Sequence, residues 1–246
     1  MKFLKKFTPF YNLALFYFVI SFLLRIILLF HPITQSSFTT FESLKIFGLG
    51  ILSDVFVFIV ASFFLWLYLI FISNSKYNKP WGYIILGIFL GLFLYVASGK
   101  SIVTEYGGAL PMIVLIFIGI KTTLFALLLF LPKWRDKIRF WLFAFVLFLY
   151  VLLILQNGIS EYFFWNEFGV KYNFIAVNYL IYTNEVIGNI MESYPVIPIF
   201  SALFLVTGVF TYFILKNSKN YIEAIPTFKE KIKLSGLYIA LFLIYL

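Results

Sequence analysis

The sequence predicts an all-α membrane protein: a polytopic bundle of about seven transmembrane segments, the last one truncated, with an interfacial helical hairpin on its outer face. Three observations carry that prediction. Of the 246 residues, 63% are hydrophobic and 12% charged, with a mean hydropathy of +1.02, whereas soluble domains carry roughly 25% charged residues. So little polar surface cannot cover a water-soluble globule. It suits a bilayer, whose hydrocarbon is about 30 Å thick and is crossed by ~20 apolar residues of helix. The apolar runs are also continuous, without the two-residue alternation of barrel strands. Lastly, the basic residues are shared unevenly between alternate connections.

The elements follow in order. The N-terminal MKFLKKF precedes an apolar run with no small-residue cleavage site, which reads as an uncleaved signal-anchor. Apolar segments then fall at 10–30, 47–72, 81–98, 112–131, 140–157, 196–215 and 234–246. The N-terminus and the connections at 73–80, 132–139 and 216–233 hold 14 of the 19 basic residues. The other three connections hold only Lys45, Lys100 and Lys171. Basic residues collect on the cytoplasmic side, so the N-terminus is expected in the cytoplasm. No nucleic-acid partner is expected from the net charge of +9, because the bases flank membrane helices. With no cysteine there is no disulfide framework and no thiolate chemistry.

That orientation places 158–195 outside, between the fifth and sixth spans. Residues 161–195 read EYFFWNEFGVKYNFIAVNYLIYTNEVIGNIMESYP and hold four of the ten acids. The aromatics Tyr162, Phe163, Phe164, Trp165, Phe168 and Tyr172 suit the headgroup level. From Phe174 to Glu192 two short helices are expected, with Thr183 or Asn184 capping the second. Their apolar face is Phe174, Val177, Ile181 and Ile187, resting in the interface. The polar face is Glu167, Lys171, Asn173, Asn178, Asn184 and Glu185. Lys171 is the only base in the segment and is the candidate for an anionic phosphate. Pro195 starts the next span. From Gly236 onward only 11 residues remain, about 17 Å of helix at 1.5 Å per residue, so the chain reads as the front part of a longer protein.

Three ionisable residues fall inside spans: Arg25, Asp54 and Lys121. Such charges cost ~2.5–3.5 kcal/mol each on insertion scales and are functional candidates by default. Counted from the outer ends of their helices they lie at similar depth, roughly 8–14 Å down. The expected arrangement has Arg25 snorkelling outward and Asp54 paired with Lys121. His31 stands beside Pro32 at the end of the first span. Glu161, Glu167 and Glu185 read as solvated acids or as a headgroup or metal set. Gly48–Gly50 and Gly87–Gly91 suit close helix packing. Signatures of zinc proteases, α/β-hydrolases, prenyl transferases and P-loop enzymes are absent from the sequence, as is a second copy of the 161–195 pattern.

The stretch WNEFGVKYNFIAVNYLIYTNEVIGNI, closed by ESYP, resembles the membrane domain of lipoteichoic acid synthase-like bacterial proteins of the sulfatase/alkaline phosphatase superfamily. GLGILSD at Gly48–Asp54 is similar to that family's second-helix pattern. Where the family tends to carry Arg and Asp, this chain has Lys171 and Asn178. The resemblance implies a multi-pass protein of the bacterial cytoplasmic membrane. It also implies an extracytoplasmic catalytic domain following residue 246, with a Thr nucleophile and a divalent metal such as Mn or Mg. That domain would transfer or hydrolyse phosphoglycerol-type headgroups of membrane lipids. On this reading the 246 residues are the anchor and docking domain. They carry no catalytic residue or metal ligand of their own, and their partners are membrane lipids and that catalytic domain. The competing reading from a different class is a self-contained transport or channel subunit.

Overall fold

A computed structural model describes residues 7–34, 38–71, 74–173, 188, 190–218 and 227–245. Among these residues the chain is helical, without strands. The order is α1 (Thr8–Leu29), α2 (Thr40–Ala61), α3 (Phe63–Phe71), α4 (Trp81–Ala97), a short α5 (Ile102–Glu105), α6 (Leu110–Phe130), α7 (Arg135–Phe168), α8 (Val196–Asn217) and α9 (Phe228–Tyr245). Single 3-10 turns stand at Ser75–Tyr77 and Pro132–Trp134. Six helical stretches are long and apolar enough to cross a membrane: Thr8–Leu29, Thr40–Ala61, Trp81–Glu105, Leu110–Phe130, Pro132–Phe168 and Val196–Asn217. The seventh expected span is not among them. Its helix, α9, begins at Phe228 rather than 234, because Lys229, Glu230, Lys231 and Lys233 are good helix formers.

Local chemistry explains several helix ends. Pro9 and Pro111 lie in the first turns of α1 and α6, where a missing N–H costs nothing. Thr39 caps α2 through a capping box. Its hydroxyl accepts from the Glu42 N–H at 3.3 Å, and Glu42 accepts from the Thr39 N–H at 2.9 Å. α7 stops at Gly169, whose φ of +66° suits a residue without Cβ. The Gly169 N–H closes the helix on the Trp165 carbonyl at 2.8 Å.

Two elements differ from the sequence reading. The span expected at 47–72 begins at Thr40 and is broken at Ser62 into α2 and α3. Two tyrosine hydroxyls serve the backbone groups at this break. Tyr150 donates to the Ala61 carbonyl at 3.2 Å and accepts from the Leu65 N–H at 3.0 Å. Tyr238 donates to the Ile59 carbonyl, and its ring stacks on Trp66 at 4.9 Å. Freed backbone groups in an apolar setting need such partners. The other difference is α7. Expected at 140–157, it runs unbroken for 34 residues to Phe168, about 51 Å of helix. Residues 158–168 therefore continue the helix past the expected end of the span. The hairpin expected over Phe174–Glu192 lies almost wholly outside the described residues.

The chain divides into two compact units, Met1–Ile70 with Phe143–Leu246, and Phe71–Leu142. In the first, Phe58 on α2 is ringed by Phe10, Tyr17 and Phe18 of α1 at 5.4–6.0 Å. Phe143, Leu147 and Val151 of α7, spaced four apart on one helix face, are fully buried. Leu203, Thr207, Thr211 and Ile214 form the buried stripe of α8. In the second unit α4 packs along α6. Its core is Tyr77, Phe125 and Leu128, with Ile85, Leu86, Phe89, Leu129 and Ile138 against them. Gly82 makes room there, since a Cβ would stand 2.6 Å from Leu129. Of the glycines expected to pack closely, Gly50 meets Arg25 of α1, whereas nothing lies within 4 Å of a Cβ built at Gly48, Gly87 or Gly91.

Candidate functional site

The polar residues of the first unit gather around the last turns of α7. The buried stripe of that helix continues from Val151 through Gly158, where a Cβ would touch Ile20 at 3.6 Å, to Glu161 and Phe164, both at most 9% exposed. Its next residues each hold a different part of the chain. Tyr162 stands edge-on to His31 at 5.4 Å, and the Trp165 indole N–H donates to Thr34 Oγ1 at 3.2 Å. Both partners belong to the connection that follows α1. His31 is itself buried, and its Nδ1 accepts from the Ile33 N–H at 3.3 Å.

Beyond Gly169 the chain turns back onto the same helix. Lys171 Nζ meets Glu161 Oε1 at 3.1 Å. Tyr172 lies on Phe164 at 5.0 Å. Burial pushes the Tyr172 phenol above its ordinary value; a hydrogen bond with Ser160 pulls it back, and the Glu161 charge adds to the rise. The far end of the loop is pinned too. Tyr194 packs on Phe163 at 4.5 Å and donates to Glu167 Oε1 at 2.7 Å. That bond is the main reason its phenol is raised above the ordinary value. Thus Lys171, Tyr172 and Tyr194 all make contact with α7.

The first unit also holds a buried ion pair. Arg25 Nη2 donates to Asp54 Oδ2 at 2.9 Å, with Arg25 5% and Asp54 8% exposed. The guanidinium lies flat over Gly50, one turn before Asp54, where a Cβ would come within 2.3 Å of Arg25 Cζ. Arg25 Nη1 is buried without a hydrogen-bond partner.

The structure therefore corrects the expected pairing. Asp54 is held by Arg25, which does not snorkel. Lys121 of α6 is exposed, with its Nζ 5.5 Å above the Phe117 ring. Arg25 lies 17 residues beyond Thr8, and Asp54 17 residues before Phe71, about 26 Å of helix in each case. Matched distances bring them level, and the glycine four residues before Asp54 lets them touch. Gly50 was the signal in the sequence that could have found this pair.

The predicted surface residues divide. Glu161, expected as a solvated acid, is buried and paired. Lys171 has its charge matched by Glu161, yet its side chain remains 51% exposed. Glu167 serves Tyr194, and Asn173 is exposed. Asn178, Asn184 and Glu185 lie outside the described residues, as do Phe174, Val177, Ile181 and Ile187. Among the described residues no three His, Asp or Glu side chains gather as a metal-binding group. The arrangement can hold an anion at its rim through Lys171. No protein-family model, curated protein or solved structure matches the chain.

Proposed function

We propose that these residues form the membrane-embedded docking part of an enzyme acting on anionic lipid headgroups at the outer face of a bacterial cytoplasmic membrane. On this reading the N-terminus is cytoplasmic and the head of α7 faces out. A catalytic domain of the lipoteichoic acid synthase-like kind, with its divalent metal, belongs to the same enzyme and transfers or hydrolyses the headgroup. The observation that carries the reading is the half-exposed Lys171, held at 3.1 Å against the buried Glu161 at the head of α7. A fixed ammonium at headgroup level suits a phosphodiester, and the carboxylate beneath it sets its position. The likeness of 161–195 to that family supports the same assignment.

The test uses the chain in nanodiscs with a phosphatidylglycerol analogue carrying a photo-reactive headgroup. Cross-links should map to residues 161–173. Lys171→Ala should lower their yield about fivefold, the effect of ~1 kcal/mol per surface lysine. An unchanged yield would remove the assignment. The break at Ser62 favours the transport or channel reading, since discontinuous helices frame many transporter sites. Solute flux through proteoliposomes, without any dependence on Lys171, would support that reading instead.

A further inference from the structure

The second unit carries a different surface, built from its own residues and independent of the function proposed above. Its central feature is the Tyr77 ring, flanked by two guanidinium groups. Arg135 Cζ lies 4.5 Å and Arg139 Cζ 5.4 Å from the ring centroid. Arg135 Nε also donates to the Leu128 carbonyl at 2.8 Å, and Arg139 is only 7% exposed. Burial pushes the Tyr77 phenol up, while a hydrogen bond and the charge from Arg139, together with Arg135, hold it partly down. Both arginines are thus turned inward to organise the turn. Lys133 and Lys137 remain exposed beside them, with Asp136 the one acid between them.

At the start of α7, Trp134, Lys137, Ile138, Trp141 and Leu142 line an open groove of about 330 Å³. This lies at the lower edge of the size range of small-molecule sites. The spacing of these residues is i, i+3, i+4, i+7, i+8, which puts them in one stripe. Trp134 is 55% and Trp141 64% exposed. Lys137 Nζ is held 5.2 Å from the Trp134 ring, at a distance where a cation is attracted to an indole face. Paired indoles mark the interfacial level of a bilayer. An ammonium held at the Trp134 ring, with the exposed Lys133 next to Trp134 in the chain, calls for a negative charge at that level.

We infer that the groove formed by Trp134, Lys137, Ile138, Trp141 and Leu142 seats an anionic phospholipid, its phosphate on Lys137 and Lys133 and its glycerol and upper acyl chain against the two indoles. Charge complementarity selects the occupant. A zwitterionic lipid would set its own cation against the lysines, and a free phosphate would leave the apolar floor of Ile138 and Leu142 uncovered.

The experiment uses the whole chain in phosphatidylcholine nanodiscs doped with photo-reactive phosphatidylglycerol or phosphatidylcholine, and cross-linked peptides are mapped. The phosphatidylglycerol probe should label 133–142 at least fivefold more than the phosphatidylcholine probe. Lys133→Gln with Lys137→Gln should remove about 25-fold of that labelling, at about fivefold per lysine, while Lys133→Arg with Lys137→Arg keeps it. Labelling of 161–173 reports separately on the Glu161–Lys171 site, so either assignment can fail alone. Equal labelling by both probes overturns the inference. So does labelling unaffected by the double Gln change, and so does millimolar inorganic phosphate displacing the lipid as readily from a Trp141→Ala variant as from the native chain. Should the Gln variant melt lower than the native chain, Lys137→Arg with Trp141→Ala decides: it keeps the charge and must still lose labelling.

Discussion

Gly50 has its effect through the space it leaves. An alanine there would put a methyl carbon 2.3 Å from the Arg25 guanidinium, so the arginine must withdraw from Asp54. Overpacking of this kind costs about 1–3 kcal/mol. Arg25→Ala is expected to cost more, about 3–5 kcal/mol, because it strands a buried carboxylate. Arg25→Leu combined with Asp54→Leu should recover most of the loss, since it removes both desolvated charges. Thermal melting in detergent should rank the variants in that order, and strictly additive losses from the two Leu changes would disprove the pairing. Residue depth was legible in the sequence, because counting along apolar runs places Arg25 and Asp54 level. Which faces meet was not legible, because depth says nothing about rotation around the helix axis.

At the level of elements, the head of α7 organises its surroundings. Trp165→Phe removes one hydrogen bond to Thr34 and should cost about 1 kcal/mol, read as a lower melting temperature. Tyr194→Phe tests the other limb of the loop. The Tyr194 phenol is raised by donating to Glu167, so that bond's contribution is fully present below the ordinary phenol value of ~10. It is lost as pH rises through the raised value. The native chain should therefore show an alkaline limb in its stability profile that Tyr194→Phe lacks. Tyr77→Ala should weaken the second unit by about 3–5 kcal/mol, as large-to-small aromatic changes in a core do, whereas Tyr77→Phe keeps the ring between Arg135 and Arg139. The length of α7 escaped the sequence reading for a physical reason. Asn157, Gly158, Ser160, Glu161, Asn166 and Glu167 break the apolar run, which marks an exit from hydrocarbon but not an end of helix. Gly169 was the true stop signal.

For the whole molecule, six helices that are long and apolar enough to cross a membrane follow directly from composition and run length. The orientation proposed from the basic bias has a direct check. A single cysteine at Gly107 should react with an impermeant maleimide added outside intact cells, and one at Asp136 should not; the reverse pattern would invert the proposal. The break at Ser62 has a consequence for bilayers of different thickness. An apolar stretch that outspans the hydrocarbon tilts, kinks or thickens the lipid around it, and α7, unbroken for 34 residues, responds as one rod. The α2–α3 pair has a flexural joint. Its freed backbone groups are held by the phenols of Tyr150 and Tyr238, which can swing and re-form their bonds, where a proline would fix the angle. When short-chain lipids replace long-chain ones, the α2–α3 pair should accommodate by bending at Ser62 while α7 leans as a whole, so a spin-label pair spanning the joint would shorten and one spanning an equal length of α7 would not.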